Sequence, residues 1–63
     1  MCQMSVVMDK NSGTEKIMDE VTKLVVTPEG IVLSTFFESD KLISGAQVKS
    51  IDFMKTTVTL GHD

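Results

Sequence analysis

Short apolar runs alternate with polar positions along the whole chain, and turn residues interrupt them every several positions. In "CQMSVVMD" an extended backbone sends successive side chains to opposite faces, so Cys2, Met4, Val6 and Met8 share one face and Gln3, Ser5, Val7 and Asp9 the other. "KNSG" is a turn signal leading to "TEKIM" and then "DEVTKLVVTP". "PEG", Pro28 to Gly30, predicts a tight reversal, because proline presets φ and glycine is free to take a positive one. After it come "IVLSTFF", a polar turn "ESD", "KLIS", a break at Gly45, "QVKSIDF", a turn near "MKT" and "TVTL", with "GHD" left as a tail. No convincing helical period competes with this reading. The pattern predicts an all-β chain of five to six antiparallel strands, a meander that curls into a small barrel because closure hides edges that invite aggregation. No repeat or linker divides the sequence, and residues 1–63 read as a single domain.

Size sharpens the picture. A chain this short buries only about 60% of the surface its unfolded form exposes, so its core needs a metal, a disulfide or a partner chain. Cys2 is the only cysteine, which excludes an intrachain disulfide. The start lacks the basic flank and long apolar run of a signal peptide, so the expected compartment is cytoplasmic. No apolar stretch approaches the roughly 20 residues that cross a bilayer as a helix. Metal and self-association remain. Residues 24–26, 31–33 and 35–37 ("LVV", "IVL", "TFF") put apolar groups on both faces of their strands, which predicts a homodimer.

Charge argues against a nucleic-acid partner. Nine acidic residues face six basic ones, all lysine and no two adjacent, and the chain has no Arg, Tyr or Trp. Clustered cations and stacking side chains are what nucleic-acid recognition draws on.

Candidate chemistry is sparse. Asp9, Asn11 and Glu20 fall at positions one, three and twelve of a calcium-type loop, yet position six is Thr14, position five is Gly13 and the flank is strand-like, so a hairpin is the better reading. Glu38 with Asp40, and Asp19 with Glu20, read as solvated turns. His62 is the only histidine and reads as part of a solvated tail, so neither a catalytic triad nor a closed zinc site can be assembled, and no enzyme is expected. The methionines Met1, Met4, Met8, Met18 and Met54 read mainly as adaptable core filler, although Met1 and Met4 with Cys2 also offer soft sulfur to Cu(I).

Cys2 has two readings. As the head of the first strand it is a small buried hydrophobe beside Met4, Val6 and Met8. As a near-terminal residue it has backbone nitrogens that no ladder holds on both sides. With Met1 removed, the α-amine and thiolate close a five-membered chelate; with Met1 retained, its amine, the Cys2 amide nitrogen and the thiolate close fused rings. A twofold dimer doubles either set, and tetragonal N/S sites suit Ni(II) or Cu(II).

The start "MCQMSVV", the central "DEVTKLVVTPEGIVLSTFFES" and the later "ISGAQVKSIDFMKTTVTL" resemble the CooT family, small proteins related to the nickel-binding accessory protein of carbon monoxide dehydrogenase maturation. The Met-Cys start and "GAQVKSIDF" are the most specific elements. The resemblance implies a small SH3/Sm-like barrel, a homodimer, and Ni(II) bound through the cysteine after the initiator methionine, here Cys2. It also implies a nickel-enzyme client such as carbon monoxide dehydrogenase. Two functions follow: a nickel-binding accessory protein or metallochaperone, and, as the alternative, an Sm-like RNA-binding or protein-interaction module without metal. The absent arginine and the net charge of −3 weigh against the second.

Overall fold

A computed structural model describes residues 3–62. Six strands make one sheet: β1 (Met4–Lys10), β2 (Gly13–Thr27), β3 (Gly30–Thr35), β4 (Lys41–Ser44), β5 (Ala46–Asp52) and β6 (Thr57–His62). No helix occurs among the described residues. The order across the sheet is β4-β3-β2-β1-β6-β5, and β5 comes back against β3, so the sheet curls into a half-barrel.

Alternation works as the sequence reading requires. Val6 and Met8 of β1 are buried and Met4 is half-buried on the same face. They meet Val21, Ile31, Leu33, Val58 and Leu60 in one core, with Ala46 at its margin. Cross-strand pairing of Val6 with Val58 and of Met8 with Leu60 puts the β1–β6 contact at the centre of that core.

The expected all-antiparallel meander needs correction, because β1 and β6 run parallel. The cause lies at Gly45. Every other connection reverses the chain, whereas this single residue, at φ +71°, turns a corner between β4 and β5, which do not pair. Four reversals bring β6 back in the direction of β1. The corner is fastened by the Gly45 amide, which donates to the Glu29 carbonyl at 2.9 Å.

The "PEG" reversal is present between β2 and β3. The Thr27 hydroxyl donates to the Gly30 carbonyl at 2.9 Å and accepts from the Gly30 amide at 3.1 Å. Gly30 sits at φ +152°, and any Cβ there would collide with the Ile43 carbonyl of β4. Only glycine allows that approach.

Three further details depart from the sequence reading. "TEKIM" and "DEVTKLVVT" belong to one strand of 15 residues, bent where Glu20 takes φ +56° and where the pairing with β3 shifts between Val21 and Lys23. The run "IVLSTFF" stops being strand at Thr35, whose hydroxyl accepts from the Phe37 and Glu38 amides, both at 3.0 Å, and so draws the chain into a bend. Gly61 and His62 are no tail: β6 includes them, paired with Gln47 and Ala46 of β5.

Candidate functional site

Cys2, the candidate ligand, lies outside the described residues. The strand that follows it is well defined. Met4 faces Val21 of β2, and Val21 faces Thr35 of β3; Ser5 faces Thr57 of β6, and Thr57 faces Asp52 of β5. One end of the sheet therefore gathers the start of β1, the bend of β2, the exit from β3 and the β5–β6 turn.

That end is apolar and exposed. Phe36 is 78% exposed, Phe37 71%, Phe53 78% and Met54 95%. Phe36, Phe37 and Phe53 are all the phenylalanines of the chain. Large aromatics normally dominate cores, so exposed phenylalanines gathered at one end of the sheet mark it as an interaction surface.

Both segments that carry these residues are held by the same device. Thr35 accepts two backbone amides after β3, and Asp52 Oδ1 accepts the Met54 and Lys55 amides after β5, each at 3.0 Å. Thr56 then takes φ +48°, and its carbonyl accepts the Ser5 amide at 2.9 Å, which fastens the turn to the start of β1. The aromatics are displayed by ordered turns, and the turn bearing Phe53 is bonded to the strand that Cys2 precedes.

Electrostatics secure the same corner. Ser5 Oγ donates to Asp19 Oδ1 at 2.5 Å and Lys16 Nζ to Asp19 Oδ2 at 2.9 Å. The Ser5 hydrogen bond first, and the Lys16 ammonium second, hold the Asp19 carboxyl below the usual carboxylate range. Glu15 is lowered likewise by its bond to Lys10.

The remaining sequence candidates fall elsewhere. His62 ends β6, five residues beyond Thr57, so it stands about 16 Å along the strand direction from the Ser5 row. It lines a polar cleft with Asp9, Lys10 and Lys49, where Lys49 Nζ pairs with Asp9 Oδ2 at 3.0 Å. Asp9 faces Thr14 in the β1–β2 hairpin while Glu20 sits at the far bend, so the calcium-type spacing brings no ligand set together. Among the described residues, no three His, Cys, Asp or Glu side chains form a metal-holding group. Met8 is buried, and Met4 and Met18 are packed against the core, as filler should be; Met54 is the exception. The part sequence reasoning missed is the placing of "TFF" and "DFM" at the same end of the sheet. Its signal was apolar pairs placed directly at turns.

No helix among the described residues is long and apolar enough to cross a membrane. Comparison with known proteins adds two findings. A family model described as "CO dehydrogenase accessory protein CooT" matches residues 1–61. The crystal structure of a protein assigned as CooT from Carboxydothermus hydrogenoformans superposes with a TM-score of 0.86 at 26% identity, covering 98% of each chain. No curated protein matches.

Proposed function

Because the chain belongs to the CooT family, we propose that it is a nickel-binding accessory protein, not itself an enzyme, which carries Ni(II) between the Cys2 residues of two chains. The observation that supports this reading most is the exposure of Phe36, Phe53 and Met54 at the end of the sheet where β1 starts. A second copy seated on that end buries Phe36, Phe53 and Met54. Cys2 precedes Met4 by two peptide units, at most about 7.6 Å from Cα to Cα, so such a dimer also draws two cysteines towards each other.

The donor set suits the cargo. Two thiolates with two terminal or amide nitrogens make a tetragonal N/S environment, which Ni(II) and Cu(II) favour. Binding requires thiolate, so affinity falls as pH drops and the thiol reprotonates. A working free thiol also fits a reducing, cytoplasmic compartment. The family description supports a nickel-enzyme client such as carbon monoxide dehydrogenase.

The RNA-binding alternative rests on the barrel alone. Three of the six lysines are engaged, Lys10 with Glu15, Lys16 with Asp19 and Lys49 with Asp9, and nine acidic residues outnumber the basic ones, so the surface carries no net cation for phosphates. Titration with Ni(II) followed by ultraviolet-visible absorption tests the proposal. Thiolate-to-nickel charge transfer should appear in the parent protein and vanish in Cys2→Ser; an unchanged spectrum in the variant would remove Cys2 from the site.

A further inference from the structure

β2 is paired on both sides over only part of its length. It faces β1 from Gly13 to Val21 and β3 from Val21 to Thr27. On its β3 side, residues 13–20 have no strand partner among the described residues.

Two open grooves follow that free edge. The first, about 300 Å³, has Met8, Ile17 and Ile43 as its floor and Lys10, Lys16 and Lys41 on its rim. Glu15 and His62 complete it. The second, about 350 Å³, is lined by Met18, Asp19, Glu20, Phe37 and Glu38. Ile17 and Lys41 line both, so the two grooves are continuous along the edge from Glu15 to Glu20.

An unpaired edge offers a row of N–H and C=O groups to another strand, and peptide recognition by strand addition draws affinity from those bonds and specificity from neighbouring side chains. We propose that this edge takes an extended segment of a partner protein, about six residues long, with a basic residue near its N-terminal end and an acidic one near its C-terminal end. The polarity follows from charge and direction. An antiparallel addition runs against β2, so its C-terminal half lies by Lys10 and Lys16, which also pair with Glu15 and Asp19, and its N-terminal half by Glu20 and Glu38. Ile17, shared by both grooves, takes an apolar side chain at the middle. Lys41, which lines both grooves, makes no ion pair among the described residues, so its ammonium is free to meet the incoming carboxylate from the middle of the edge.

The probes are the capped peptides acetyl-KTVTVD-amide and its charge-reversed partner acetyl-DTVTVK-amide, titrated into the full chain by calorimetry. Metal-free Cys2→Ser protein serves as well as the parent, so the result is independent of the nickel reading. The first peptide should bind at least tenfold more tightly than the second, and Lys41→Glu, a change at an exposed side chain, should weaken the first by about five- to tenfold. Between residues 14 and 20, the alternate amides that point away from β1 should exchange more slowly when the first peptide is added. Equal affinities for the two peptides, or exchange unaffected by either, would overturn the proposal. So would protection, in the free protein, of those alternate amides of 14–20 that do not bond β1, since a second copy would then cover the edge.

Discussion

If two chains pair as proposed, Phe53→Ser should dissolve that dimer while leaving the fold intact. A phenylalanine side chain buries about 150–250 Å² when fully covered. With 78% of Phe53 open in the single chain, complete coverage by a partner removes roughly 120–195 Å² from water, or about 3–5 kcal/mol at ~25 cal/mol per Å². Area converts incompletely to affinity, so half of that, about 1.5–2.5 kcal/mol per chain, is the better working figure. A twofold interface contains the side chain twice, which raises the dissociation constant by roughly a hundredfold to a few thousandfold. The fold itself loses little, because the ring touches little of its own chain and the Asp52 carboxylate still holds the turn. Val26→Ser is the control: Val26 is 70% exposed but lies near Gly45 and Ala46, away from the start of β1. Sedimentation equilibrium across the micromolar range reads the outcome. The reasoning fails if Phe53→Ser associates as strongly as the parent, or if Val26→Ser weakens association equally.

Other perturbations test the fold. Gly30→Ala should cost at least about 3 kcal/mol in denaturant unfolding, since it combines a positive φ with a backbone clash at the Ile43 carbonyl, whereas Gly13→Ala, strained at φ +125° but in open space, should cost clearly less. Leu60→Ala, fully buried against the β1–β6 contact, should cost about 2–5 kcal/mol by the same measurement. Asp19 and Glu15 titrate lower in the folded chain than in the unfolded one, so their stabilisation is present above the unfolded carboxylate range and is lost as pH falls through the folded values. Thermal midpoints measured between about pH 2 and 6 should therefore drop on the acid side, and Asp19→Asn should flatten that drop.

Much of the fold was legible because it depends on local rules. Alternation placed Met4, Val6 and Met8 on one inward face, and "PEG" and Gly45 marked two of the corners correctly. The parallel β1–β6 pairing was not legible, since it depends on whether Gly45 reverses the chain or merely kinks it, and a glycine permits both. The bend of β2 was hidden too, because Glu20, rather than glycine or asparagine, takes the positive φ there. For the candidate site, sequence singled out Cys2 by its uniqueness and its position, but the exposed aromatics at the end where β1 starts arise from register. Phe36 and Phe53 are 17 positions apart in the chain and lie at the same end of the sheet only because Val21 pairs with both Met4 and Thr35 while Thr57 pairs with Ser5.

Native mass spectrometry of the nickel-loaded protein, run beside Cys2→Ser, tests the central claim most directly. It reports chain stoichiometry, metal mass and the state of Met1 in one spectrum. The expected species is a dimer carrying one Ni(II), with Cys2→Ser remaining a dimer and losing the metal. Nickel retained on Cys2→Ser at the parent's occupancy, or held by a single chain, would contradict a site shared between two Cys2 thiolates.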